Sequence, residues 1–292
     1  MASTCRCGRP GRSDEVPPDR ARHRVLIPFE KLPPGFADTL DRPPSDPVPA
    51  LPAATAVLGR DSPAGPEVLL LKRQRASGFV PGAYVFPGGR VDRADADDRL
   101  AALVTHAPLD PPLMYWLAAV REVFEETGVL LARDPDGVTA PDAHRDAALA
   151  EWREALLADQ GTLLDVLRDR GLRPELQRTV YCAHWITPVV ERRRYDTRFF
   201  LAALPEAQQA HPDAREMSDA LWLTPAAALA RFHEGRLPMV FPTVRTLEEL
   251  QGADSIDDLL DRFRGRAVRT ILPRLVKAEH GVELVTEYLE DS

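Results

Sequence analysis

Cysteine is scarce: Cys5, Cys7 and Cys182 are the only three in 292 residues. An odd set with no four-ligand zinc spacing predicts neither a disulfide framework nor a structural zinc site, and a reducing, cytoplasmic setting is the expectation. No run approaches the roughly 18 consecutive apolar residues that a membrane-crossing helix needs, and the amino terminus, MASTCRCGRPGRSDEVPPDR, lacks an apolar signal core, so no membrane contact is expected. Basic residues are in deficit as well, 37 Lys and Arg against 45 Asp and Glu, for a net charge of -8. That balance argues against binding to a nucleic-acid backbone or an anionic lipid surface. What is present is a 44% hydrophobic, 28% charged chain, enough to bury the core of one large globular domain with appendages.

Thirteen of the 28 prolines fall between Met1 and Pro66, and aromatics are few there. Residues 1–50 therefore read as a proline-rich arm, loop or partly disordered, with RHRVLIPFEKL (Arg22 to Leu32) as its one apolar island. The Cys5-x-Cys7 pair in this arm lacks further metal ligands. From Ala53 the texture changes. AATAVLG and EVLLLKR are short apolar runs separated by the turn signal DSPAGP, which predicts neighbouring strands joined as a hairpin. YVFPGGRVD (Tyr84 to Asp92) reads as a strand entering a glycine turn.

MYWLAAVREVFEETGVLL (Met114 to Leu131) has apolar residues at helical spacing, with Trp116, Val120, Val123 and Phe124 near one stripe and Gly128 placed as a left-handed cap. Two further helical patterns, DAHRDAALAEWREALLAD and GTLLDVLRDRG, suggest a helical insertion at about 142–171 that gates or buttresses a pocket. Strand character returns at Thr179 to Val190, Asp196 to Leu204 and Asp219 to Pro225, followed by helical patterns at Ala226 to Glu234 and over most of Asp254 to Leu289. Strands, one charged helix, more strands and terminal helices predict an α+β sandwich with a mixed sheet. Trp185, Phe199 and Phe200 are expected to pack that sheet, and His184 and His233 have no partner spacing that marks a site.

The chemistry concentrates in Gly88-Gly89, at a strand end, and in Arg121-Glu122-x-x-Glu125-Glu126-x-Gly128 on the helix. Side chains three and four apart share a helical face, so Glu122, Glu125 and Glu126 come within reach of one another. Unpaired, they repel; a hard divalent cation such as magnesium takes oxygen ligands and also binds substrate phosphates. Arg121 offers a planar fork that orients a carboxylate, while Gly88 and Gly89 permit close backbone approach and let a carbonyl face the cation. Taken alone, the glutamates would read as a solvated helix face; the glycine turn and the ordered string around them favour a metal-phosphate site.

The string from Arg121 to Val129 matches without a gap the second half of the Nudix box, G-x5-E-x7-R-E-U-x-E-E-x-G-U, and it follows FPGG. The chain thus resembles the Nudix hydrolase superfamily. Two departures stand out: Asp95 occupies the position of the first glutamate, and residues 96–120 separate it from Arg121 where the family has seven. The excess is assigned to residues 96–113, with DRLAAL (Asp98 to Leu103) as a short helix and prolines at 108, 111 and 112 as loop. The role of Asp95 is left open. An interrupted box of this kind is similar to a branch that includes acyl-coenzyme A diphosphatases. LLLKRQRASGFVPGAYVFPGGRVD, HWITP and RYDTRFFLAALP also look like that branch's segments.

The resemblance implies a Nudix-type α/β/α sandwich over 51–250, followed by a helical extension at 251–292. It implies a pyrophosphatase acting on a small-molecule diphosphate, coenzyme A or an acyl derivative foremost, with ADP-ribose or NADH, or a non-hydrolytic nucleotide sensor, as alternatives. Mg2+ or Mn2+ would be held by Glu122, Glu125, Glu126 and the Gly88 carbonyl. The catalytic set is Arg121, Glu122 and Glu125, with Glu122 or the loop residue Glu216 as base, Glu216 being equally readable as an exposed loop acid. Arg73, Arg75, Arg194 and Arg198, with Gly89, are expected at the substrate, although the run Arg192 to Arg194 also reads as a solvated hairpin tip. A homodimer stays open.

Overall fold

A computed structural model describes residues 24–29, 35–41, 44–74, 82–108, 110–215 and 217–289. The chain enters through β1 (Arg24–Pro28) and one turn of helix, α1 (Phe36–Thr39). Strands β2 (Leu51–Ser62) and β3 (Gly65–Arg73) follow as an antiparallel hairpin around the DSPAGP turn. Two short strands, β4 (Tyr84–Val85) and β5 (Gly88–Arg90), fold back onto β3 and β2.

A 3-10 turn at Arg93–Ala96 and the short α2 (Asp98–Ala101) lead to α3 (Leu113–Thr127). This helix starts after Pro112 and stops at Gly128, whose φ of 74° places it in the left-handed region that an L side chain rarely adopts. After β6 (Ala132–Arg133) come α4 (Ala147–Leu157) and α5 (Leu163–Asp169). Asp146 caps α4 through the Leu149 amide, and Thr162 and Asp165 form a reciprocal capping box on α5. The remainder runs β7 (Arg173–Pro174), β8 (Thr179–Ile186), β9 (Tyr195–Ala203), β10 (Met217–Leu223), α6 (Pro225–His233), α7 (Phe241–Leu250), α8 (Ile256–Phe263), β11 (Thr270–Ile271), β12 (Arg274–Ala278) and β13 (Gly281–Val285).

The main sheet has the order β10-β3-β2-β9-β8-β11, and it is mixed because β2 and β9, and β8 and β11, pair in parallel. Alternation along its strands sorts side chains to two faces. Leu58, Leu69, Leu71 and Phe200 pack with Val120, Val123 and Phe124 of α3 and with the insertion helices. Val57, Leu70, Phe199 and Leu201 pack with Leu229, Val244, Leu247, Leu259 and Phe263 of α6, α7 and α8. This is a three-layer α/β/α sandwich: the mixed sheet is what the strand and helix pattern predicts, and the three layers are what the resemblance implies. Phe124 and Phe200 are fully buried, and truncating either to alanine costs about 3–5 kcal/mol.

Two segments differ from the sequence expectation. The helical reading of 251–292 holds for α8; beyond it the chain forms β11, β12 and β13. Gly281 interrupts any helix there, and Val282, Leu284 and Val285 bury themselves in a strand instead. Within the proline-rich arm, the apolar island supplies β1, which pairs antiparallel with β13 from Arg24 opposite Val285 to Pro28 opposite Gly281. β13 also pairs antiparallel with its neighbour β12, but β1 has its partner at the other end of the chain, which neither local periodicity nor composition reveals. The arm reading for residues 1–23 lies outside the described residues.

Candidate active site

Glycine determines how closely helix and sheet meet. Gly88 has φ 156°, and a Cβ added there would lie 2.4 Å from the Ala54 carbonyl oxygen on β2. A Cβ on Gly89 would lie 2.5 Å from Oε1 of Glu122. The bare backbone of β5 is therefore a floor against which α3 rests its acidic side chains. The Gly88 amide donates to Oε2 of Glu126 at 2.9 Å.

These acids are not a solvated face. Glu122 is 9% exposed and Glu126 5% exposed, and glutamates are almost never so buried without partners. Arg121 is the partner at the centre. Its Nε and Nη2 donate to the two carboxylate oxygens of Asp95, each at 3.0 Å, in a bidentate fork. Nη2 also donates to the Arg90 carbonyl at 2.7 Å, and Nη1 pairs with Glu122 at 2.9 Å and with Glu125 at 3.0 Å. Asp95 itself accepts the Asp92 amide at 2.8 Å within the 3-10 turn. Asp95, at the sequence position of the first glutamate of the box, is thus brought onto Arg121, with α2, the connecting loop and the first turns of α3 between the two members of the pair.

Burial disfavours the charge on Arg121, but Asp95, Glu122 and Glu125 outweigh it and hold the guanidinium protonated above its ordinary range. The proton affinity of Glu122 is pushed up to about 8 by burial, against the pull of Arg121 and with a further push from Glu125. Burial likewise raises Glu125. Among the described residues no three acidic, histidine or cysteine side chains converge on one point as a formed metal cage. Glu122 and Glu125 lean on Arg121, while Glu126 turns to Gly88. The donor chemistry nevertheless fits a hard dication: Asp95, Glu122 and Glu125 share one guanidinium, and that excess negative charge consists of oxygen ligands in a corner of low exposure.

The structure brings Gly88, Gly89, Arg121, Glu122, Glu125 and Glu126 together. Three of the other arginines lie on or beside the main sheet. Arg194 donates to the Thr187 and Val48 carbonyls at 3.0 and 2.7 Å, closing the β8–β9 turn onto the start of β2. Arg198 pairs with Asp196, lies over the Tyr115 ring at 4.3 Å and donates to its hydroxyl at 3.1 Å. Arg73 ends β3 opposite Met217, its amide bonded to the Ala83 carbonyl. Arg75 and Glu216 lie outside the described residues. Sequence reasoning did not single out Arg90, which contributes its carbonyl, or Asp92, which contributes its amide and a carboxylate 3.6 Å from Nη2 of Arg121; residue type carries no signal for a main-chain contact.

The family described as the NUDT19 Nudix domain matches residues 103–250. The chain is 31% identical over 248 residues to the acyl-coenzyme A diphosphatase NUDT19 of Gallus gallus, covering 68% of this chain and 65% of that relative. To the protein of the same name from Homo sapiens it is 29% identical over 276 residues, covering 78% and 74% of the two chains. The crystal structure of a Nudix hydrolase from Alicyclobacillus acidocaldarius superposes with a TM-score of 0.61 at 30% identity, covering 73% of this chain and 96% of that one. With the box closed in space by Asp95 and Arg121 and the glycine floor under its glutamates, the chain belongs to the Nudix hydrolase family.

Proposed function

We propose that this protein hydrolyses the diphosphate bridge of coenzyme A or acyl-coenzyme A, releasing 3',5'-ADP and phosphopantetheine or its acyl derivative. The observation that carries the reading is the closed box: buried Glu122 and Glu126 over Gly88 and Gly89, organised by the Arg121 to Asp95 fork. The named activity of the chicken and human relatives supports the choice of substrate.

In this reading Glu122, Glu125, Glu126 and the Gly88 carbonyl hold Mg2+ or Mn2+. When bound, the cation neutralises charge on the bridging phosphates and acidifies a water molecule. Arg121 keeps Glu122 and Glu125 oriented while the substrate is absent. The water oxygen attacks one phosphorus, the bridging P–O bond breaks, and the water proton passes to a carboxylate, Glu122 or Glu216. The second phosphate leaves with the bridging oxygen. A cytoplasmic location belongs to the same proposal; among the described residues no helix is long and apolar enough to cross a membrane.

The test is product identification by mass spectrometry after incubation with Mg2+ and, separately, coenzyme A esters, ADP-ribose, NADH and nucleoside triphosphates. Cleavage of the coenzyme A esters to 3',5'-ADP is expected. Turnover of ADP-ribose or NADH with every ester intact would refute the substrate, and binding without turnover of any compound would point to a sensor.

A further inference from the structure

Besides its apolar packing, the helical insertion hydrogen-bonds the end of the carboxylate helix through an arginine. Arg153, half-buried on α4, donates from Nε to the Glu125 carbonyl and from Nη2 to the His211 carbonyl, both at 2.9 Å. Helix α3 has no basic residue in its last turn, and that turn carries Glu125 and Glu126. Acids there face the partial negative charge of the terminal carbonyls, so a cation is favoured at that end. Arg153 supplies it from another element.

The terminal carbonyls of a helix have no intrahelical partner. Here three in succession are satisfied from outside: Glu125 by Arg153, Glu126 by the Asp213 amide at 2.8 Å, and Thr127 by the His211 amide at 2.7 Å. The far side of the same loop is tied to the residue that follows β3, Gln74, whose side chain donates to the Ala214 carbonyl at 2.5 Å. Gly128 keeps the junction open, since a Cβ there would lie 3.2 Å from Nη1 of Arg153.

We propose that Arg153 is a positioning residue for the metal-binding glutamates: by bridging the Glu125 and His211 carbonyls it fixes the last turn of α3, and with it the carboxylates of Glu125 and Glu126. The inference rests on the assignment of those glutamates to the cation. It gives the insertion a defined role as a clamp on the site.

The test uses the full chain as wild type, Arg153→Ala and Arg153→Lys. Hydrogen exchange on metal-free protein follows the amides of His211 and Asp213. Electron paramagnetic resonance of free Mn2+ gives metal affinity without substrate, and steady-state hydrolysis of coenzyme A gives kcat and KM. The alanine variant is expected to exchange those two amides faster than the rest of the molecule. It should also bind Mn2+ about 10-fold to 100-fold more weakly and lose kcat by a similar factor, with little change in KM. Lysine, which reaches one carbonyl, should recover most of the loss. Wild-type Mn2+ affinity and kcat in the alanine variant would overturn the proposal, as would a uniform rise in exchange across the whole chain. Failure of the wild type to bind Mn2+ would overturn the assignment of the glutamates and the positioning role together. The clamp would still be read from the two amides, so the failures are distinguishable.

Discussion

Arg121 grips Asp95 through two hydrogen bonds of 3.0 Å although residues 96–120 lie between them. The aspartate is one methylene shorter than the glutamate of the family pattern. The 3-10 turn brings it within reach, because the Asp92 amide holds its second oxygen at 2.8 Å. The interruption of the box is therefore an interruption of sequence only.

Asp95→Ala leaves a guanidinium that is 8% exposed without its principal partner. Breaking a buried pair from one side costs about 3–5 kcal/mol, and urea denaturation is expected to show a loss of that size. Asp95→Glu should lose much less. A loss below about 1 kcal/mol in the alanine variant would mean that Glu122 and Glu125 alone satisfy Arg121.

Gly89→Ala tests the floor. The new methyl would sit 2.5 Å from Oε1 of Glu122 and displace that carboxylate. Activity should fall about 10-fold to 100-fold, the range seen when groups that orient metal ligands are lost, with a shift of only a few degrees in melting temperature. Unchanged kcat/KM would show that Glu122 has room to move without consequence.

Glu126→Gln keeps an oxygen for the Gly88 amide but removes a charge. The fold should persist, as read by circular dichroism, while hydrolysis drops by roughly three powers of ten on loss of a catalytic metal ligand. Chelation of the wild type should abolish activity, and Mg2+ or Mn2+ should restore it. Near-normal turnover in the variant would remove Glu126 from the site.

Asp196 predicts a pH effect on stability away from the glutamates. Burial pushes its proton affinity up, but the His184 hydrogen bond at 2.5 Å and the ion pair with Arg198 outweigh it, so its pKa is held below the usual carboxylate value. A depressed pKa stabilises the fold above the unfolded value, about 3.9, and that contribution is lost as pH falls through the folded value. The stability gap between wild type and Asp196→Asn, measured by urea titration, should be widest near pH 6 and narrow towards pH 3. A gap independent of pH would contradict the assignment.

The composition and the two hydrophobic periods were enough to read an α+β sandwich with a mixed sheet, because strand alternation and helical spacing are local signals that name the buried face; the three-layer arrangement came from the resemblance to the Nudix family. The strands from Leu51 to Leu223 and the helix that ends at Gly128 are of this kind. The terminal sheet was not legible: β13 lies between β12, its hairpin neighbour, and the distant β1, and the short apolar runs of these strands carry no period long enough to overrule a helical reading. Arg153 was likewise hidden, since an arginine on an amphipathic helix looks the same whether it meets water or a carbonyl.

By itself the sequence determined which atoms are available to the site: the glycines without Cβ, the acids three and four apart, and the arginine ahead of them. Only tertiary structure decided that Asp95 completes the set and that the acids are buried. Both depend on which distant segments share a few ångströms of space, and chain order does not encode that distance.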